Sequence, residues 1–109
     1  MSEVLNPIRG IGDVSLVAQN TFTPAVFLPR GNGSLTVNGT FVGTLTVQRA
    51  FDYDLAGGNW KDIPDPVVAI TGASAPYAKT INDAVKAWWR IGFKTGDYTS
   101  GTAVCNIAN

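Results

Sequence analysis

Apolar and polar residues alternate along much of this chain with a period of two. In the run Phe41–Phe51, one parity carries Leu45 and Val47, and the other carries Thr46 and Gln48. A period of two that is rich in β-branched residues predicts a strand with one buried and one solvated face. This pattern indicates architecture and contains no catalytic chemistry.

A second feature of this region is the dipeptide Asn38-Gly39, which follows a similar run over Ser34–Val37. Asn-Gly favours two-residue hairpin turns because both turn positions require positive φ angles. The spacing therefore predicts a β-hairpin whose turn is Asn38-Gly39.

The run Val85–Phe93 is the strongest late element. One parity is apolar and the other is mixed: Val85, Ala87, Trp89, Ile91 and Phe93 against Lys86, Trp88, Arg90 and Gly92. We expect a strand here. A helix over Asn82–Trp89, capped by Asn82, is the alternative, although the aromatic and β-branched residues that follow favour the strand.

Shorter runs with turn residues between them complete the pattern. They are Val14–Ala18, Phe22–Leu28 with Pro24 inside it, Trp60–Ile63, Val67–Ile70, Tyr77–Ile81 and Thr99–Ile107. About eight short strands predict an all-β antiparallel sandwich or small barrel. We expect a single antiparallel β-sandwich over residues 13–109, Ig-like or jelly-roll in topology. Residues 1–12 contain proline and glycine without a period and predict an N-terminal arm, either free in solvent or lying along a neighbouring subunit.

Composition limits the partners. The 109 residues suit one domain, and eight Lys plus Arg balance eight Asp plus Glu, with only 15% charged residues. Such sparse, balanced charge gives no electrostatic footprint for nucleic acid or for an anionic membrane. No apolar stretch approaches the roughly 20 residues that cross a bilayer, and the first residues do not resemble a signal peptide. We expect a protein that is made, or assembled, in a cytoplasm.

Few residues offer catalytic or metal chemistry. Histidine is absent, and Cys105 is the single cysteine, expected to be a small buried apolar residue. Four aspartates remain close together in sequence: Asp52, Asp54, Asp62 and Asp65. A carboxylate pair can serve glycoside hydrolysis or calcium binding, whereas turn hydrogen bonding is their commoner role. We therefore expect no enzyme, no metal and no cofactor.

Tryptophans are the other candidates for a site. Trp89 shares its parity with the apolar residues and is expected in the core, while Trp60 is expected to anchor its loop onto the core. Trp88 lies between Lys86 and Arg90, so it contacts a partner, is covered by the stems of these two side chains, or stacks on a sugar ring.

Several segments together resemble a pattern in small proteins of tailed bacteriophages. They are Gly39–Asp52, Gly58-Asn59-Trp60, Trp89-Arg90-Ile91 and Tyr98–Thr102, within roughly residues 33–107. The resemblance implies a small β-sandwich that decorates, bridges or caps the virion.

The segment from Phe51 to Trp60 is also similar to the Asp-box hairpin of sialidase-type propellers. It departs from that pattern because Ala50 replaces the usual serine and the spacing from Asp52 to Trp60 is too long. A single copy also cannot form a propeller.

These observations predict a non-enzymatic structural protein of a tailed-phage virion. We expect a capsid decoration (cement) or head–tail-region subunit, which forms homo-oligomers and contacts major capsid or head–tail proteins. The expected contact residues are Tyr53, Leu55, Trp88 and Arg90, together with the arm.

Two rival functions stay open. One is a carbohydrate- or receptor-binding module of a tail fibre that uses Trp88 and Tyr53. The other is a glycosidase-like enzyme that uses Asp52, Asp54 and Asp62.

Overall fold

The computed structural model describes residues 13–28, 32–52, 60–63, 70–71, 77–82 and 86–108. These residues form nine strands: β1 (Val14–Leu16), β2 (Thr21–Phe22), β3 (Val26–Leu28), β4 (Asn32–Ala50), β5 (Lys61–Asp62), β6 (Ile70–Thr71), β7 (Tyr77–Asn82), β8 (Ala87–Phe93) and β9 (Tyr98–Ala108). Their pairings are all antiparallel. The predicted all-β, antiparallel class is therefore confirmed.

Strand β4 organises the sheet because it is 19 residues long and is paired along both edges. Strands β8 and β9 pair with it, and so do β5, β6 and β7. Leu35, for example, lies opposite both Lys79 of β7 and Ile107 of β9. β1 then pairs with β9, while β2 and β3 pair with β8, so the sheet nearly closes into a barrel-like shape.

The predicted hairpin at Asn38-Gly39 is wrong. Both residues lie inside β4, where Asn38 pairs with Val104 and Gly39 with Ala103. The Asn-Gly preference is local, and it is overridden by a ladder to β9 that continues from Ser34 through Val42.

Two glycines allow β4 and β9 to bend together at this point. Gly39 has a φ of 96° and Gly101 has a φ of 89°. A Cβ atom on Gly39 would lie 2.4 Å from the carbonyl oxygen of Thr102, and one on Gly101 would lie 2.3 Å from that of Thr40. Only glycine fits a left-handed backbone in such close contact with a neighbouring strand.

The core lies on one face of this curved sheet. Its fully buried members with the largest side chains include Trp89, Phe93, Leu16, Leu28, Leu35, Leu45, Ile81, Ile91 and Ile107. The predicted parity of the late strand is confirmed, since Ala87, Trp89, Ile91 and Phe93 are all inaccessible. Cys105 is also buried as expected, and burial raises the pKa of its thiol to about 12.

The opposite parity of β4 is less solvated than the sequence predicts. Thr46 and Gln48 each retain only 8% of their exposure, so the expected wet face is covered at this end of the strand. Gln48 lies between Asp62 of β5 and Arg90 of β8, whose side chains contact it. Two flanking strands, whose pairing with β4 the local pattern does not predict, bury this polar residue.

Other elements match the predictions in part. In the segment proposed as a helix, Asn82 ends β7 and residues 87–89 belong to β8, as the β-branched and aromatic content favours. Pro24 separates β2 from β3, as expected for a residue that cannot donate to a ladder. The expected division into two stacked sheets stays a prediction, and residues 1–12 lie outside the described residues.

We predict that Gly101→Ala destabilises the protein by about 3 kcal/mol, because it combines a left-handed backbone with a clash against Thr40. Gly96→Ala is the matched control. Gly96 has a φ of 86° but no atom within 4 Å of the new Cβ, so its cost should be only the backbone term, about 1 kcal/mol. Equilibrium urea unfolding measures both variants, and equal losses would show that the close strand contact has no energetic effect.

Candidate functional site

The outer face of β8 contains the two described residues of the predicted contact set. Trp89 and Ile91 point into the core, so Trp88 and Arg90 point to the opposite side of the sheet. Both side chains are half-buried. This face is where the structure places the candidate site.

Arg90 is held between two aromatic rings. Its guanidinium carbon lies 4.2 Å from the ring centroid of Phe22 and 4.3 Å from that of Trp60. Gly92 makes room for this arrangement, since a Cβ atom there would lie 2.5 Å from the Cα of Phe22. A planar cation between two rings gains cation–π attraction and loses little side-chain entropy on binding.

A chain of charge-assisted hydrogen bonds continues from Arg90. Its Nε donates to Gln48 Oε1 at 2.9 Å, and Gln48 Nε2 donates to Asp62 Oδ1 at 2.9 Å. Lys94 Nζ donates to the other carboxylate oxygen of Asp62 at 2.8 Å. Together these side chains form what we name the Arg90 cluster: Phe22, Gln48, Trp60, Asp62, Arg90 and Lys94.

The electrostatics of the Arg90 cluster keep its ion pair charged. The hydrogen bond from Lys94, followed by that from Gln48, holds the pKa of Asp62 below its ordinary value of 3.8. The same hydrogen bond to Asp62 raises the pKa of Lys94. A general acid for glycoside hydrolysis needs the opposite shift, towards a raised carboxyl pKa. Asp62 is therefore not arranged as such a general acid.

Trp88 packs beside the Arg90 cluster. Its ring centroid lies 4.7 Å from that of Phe27 in a tilted arrangement, and Phe27 is its cross-strand partner on β3. On its other side Trp88 pairs with Ala50 of β4. The sequence pattern named Lys86 and Arg90 as possible cover for Trp88, but it gave no signal for Phe27.

Trp60 also lies on this outer face. Its ring is half-buried and stacks on the guanidinium of Arg90, while the loop before it lies outside the described residues, so its anchoring role stays a prediction. One face of the indole is therefore occupied by a cation.

Several predicted site residues lie outside the described residues, and their roles stay predictions: Tyr53, Leu55, Asp54 and Asp65. Asp52 is described and exposed. Within the described ranges, no group of three or more His, Cys, Asp or Glu residues lies close enough to hold a metal ion.

A shallow concavity lies between β4 and β7. It has a volume of about 190 Å³ and is lined by Ser34, Leu35, Thr36, Ala78, Lys79 and Thr80. Its walls are mostly small and uncharged. This surface lies over the β4–β7 ladder and differs in chemistry from the Arg90 cluster.

Sequence reasoning missed Phe22 and Gln48. The sequence pattern predicts a strand at Phe22 and a solvated side chain at Gln48. Both predictions use only neighbouring residues. The meeting of these two side chains at Arg90 depends on the pairing of β2 and β4 with opposite edges of β8. No spacing along the chain signals a pairing between such distant segments.

Comparisons with known proteins identify no relative of this chain. No protein-family model matches it, and neither a curated protein nor a solved structure does. No helix in the described part of the chain is long and apolar enough to cross a membrane. The geometry of the outer face and the sequence resemblance are what remain to indicate a function.

We predict that Asp62 contributes to stability in a pH-dependent way. Its folded pKa is lowered, so its contribution is fully present above the unfolded value and is lost as pH falls through the folded value. The deficit of Asp62→Asn in unfolding free energy should therefore be largest near neutral pH and shrink towards about pH 2. The deficit should be small, since both partners are substantially exposed.

The control is a double-mutant cycle with Lys94→Gln, measured by chemical unfolding at each pH. The coupling between the two positions should disappear on acidification. A deficit for Asp62→Asn that stays constant across this pH range would contradict the assigned ion pair.

Proposed function

We propose that this chain is a non-enzymatic structural protein of a tailed-bacteriophage virion, either a capsid decoration (cement) protein or a subunit near the head–tail junction. It acts by protein–protein contacts, with other virion proteins and with copies of itself. One observation carries the proposal: the outer face of β8 presents Arg90 already fixed between Phe22 and Trp60.

Pre-ordered aromatic and arginine side chains suit binding to protein. Residues that dominate protein interfaces are most often Trp, Tyr and Arg. The Gln48 hydrogen bond and the two rings fix Arg90 before a partner arrives, and Phe27 fixes Trp88 in the same way. Ordering these side chains in advance lowers the entropy lost on association. A standard interface of about 800 Å² per partner would extend beyond this centre to neighbouring residues.

The proposed fold in this role is the sandwich expected from the sequence. The first half of β4 pairs with β9 and β7, whereas its second half pairs with β8, β5 and β6. A long bent strand that belongs to two sheets is a common corner of orthogonal β-sandwiches. This shared strand supports a sandwich, and the Ig-like or jelly-roll topology remains the expectation from the sequence. Repeated copies on a symmetric particle would add avidity.

The test is the protein content of purified particles from the phage or prophage that encodes the chain. Quantitative mass spectrometry should find the chain at a fixed copy number per particle, comparable with the major capsid protein for a decoration protein and far lower for a head–tail subunit. Its complete absence from particles would contradict the proposal. Isolated protein that binds a glycan array, with loss of binding in Trp88→Ala and particles unaffected, would favour the receptor-binding module instead.

We predict that Arg90→Ala weakens rebinding of the purified protein to particles that lack it. Loss of one central interface residue costs about 2 kcal/mol, or roughly thirtyfold in affinity. Thr40→Ala is the control, because Thr40 is exposed and lies in the part of β4 that pairs with β9 and not with β8. Circular dichroism confirms folding of both variants. Equal binding by the two would exclude the outer face of β8 as the contact surface.

A further inference from the structure

Four of the strands form a sheet with two different outer edges. β7 pairs with β4, β4 with β9, and β9 with β1, each in antiparallel register. In the described part of the chain, no further strand pairs with the outer edge of β7 or of β1. An unpaired strand edge presents backbone donors and acceptors in a row, which is a template for another strand.

The middle of β7 has exposed side chains. Ala78, Lys79 and Thr80 are consecutive residues of β7 and all three side chains are exposed, although successive strand residues point to opposite faces. On one face Ala78 and Thr80 are exposed, and on the other Lys79 is exposed between Tyr77, which packs against the core, and Ile81, which is buried.

The β1 edge has matching features. Ser15 at its centre is exposed, and Val17 immediately after it retains 57% of its exposure. An exposed valine beside an open strand edge gains stability when a neighbouring strand covers it. β1 itself contains valine, serine and leucine, which are compatible with strand pairing.

Strand direction decides which edges can meet. Neighbours in the order β7, β4, β9, β1 run in alternating directions, so β7 and β1 are antiparallel to each other. We propose that β1 of one copy pairs with β7 of a second copy, which continues the antiparallel alternation from one subunit into the next. This head-to-tail contact uses both open edges of each copy, whereas pairing of β7 with β7 would leave every β1 edge uncovered.

A head-to-tail contact is heterologous, and it produces rings when the rotation between copies closes. The inference deepens the self-association part of the proposed function and depends on that part alone. A chain that associates in this way but is missing from particles would disprove the virion role without touching the edge pairing. Each proposal therefore has its own test: the protein content of particles for the virion role, and cross-linking for the edge pairing.

Cross-linking of mixed single-cysteine variants tests the pairing. Ser15→Cys marks the β1 edge and Ala78→Cys marks the β7 edge, and both positions are exposed. Native Cys105 is buried with a raised pKa, so it should not react. A short bismaleimide added to a mixture of the two variants should give covalent dimers, because each pair of copies brings one β1 edge to one β7 edge. The linker spans neighbouring positions, so the result does not depend on the exact register.

Each variant alone should stay largely monomeric on a denaturing gel. Equal dimer formation by Ala78→Cys alone would overturn the proposal in favour of β7 pairing with β7. The absence of cross-linked product from the mixture, at concentrations where light scattering shows association, would place the contact elsewhere. A wild-type chain that is monomeric at all concentrations would also overturn it.

A charge variant supplies the second measurement. Ala78→Lys with Thr80→Lys creates three consecutive lysines on the β7 edge, and such charge blocks strand addition. Light scattering should show a monomer with unchanged circular dichroism. Thr40→Lys with Ser100→Lys is the matched control on strands that are already paired, and it should associate as the wild type does. Wild-type association by the edge variant would contradict the proposal.

Discussion

The ladder along both edges of β4 is the constraint on which the rest of this structure depends. A strand of 19 residues can follow the curved sheet only if its backbone bends, and glycines with positive φ allow that bend. Because β8, β9 and β7 all take their positions from β4, the core on one face and the Arg90 cluster on the other are set by the same ladder.

The two sides of β8 show how this constraint separates stability from recognition. Trp89 and Ile91 fill the core on one side, and their neighbours Trp88 and Arg90 are fixed by side-chain contacts on the other. Burial of apolar side chains stabilises the sheet, but the hydrophobic effect is non-directional. The stacked rings and the hydrogen bonds, which depend on geometry, specify one arrangement of the outer surface. Such a surface is prepared for a protein partner, which is the role we propose for it.

The open edges of the sheet suggest a different kind of contact. Side-chain recognition at Arg90 can select a distinct partner, while backbone pairing between β1 and β7 needs only a strand of the right direction. In the proposed virion role, the Arg90 cluster attaches the protein to the particle, and the strand edges contact neighbouring copies. The separate chemistry of the two surfaces makes this division possible in one small domain.

The sequence alone determined the all-β class, most strand positions and the buried parity of β8, because a period of two is a local property. It also indicated that Trp88 and Arg90 share a face. Only the tertiary structure decided that Asn38-Gly39 continues a strand and that Gln48 is buried against Arg90. Both outcomes depend on pairing between segments far apart in the chain, whose gain in hydrogen bonding and burial exceeds any local preference.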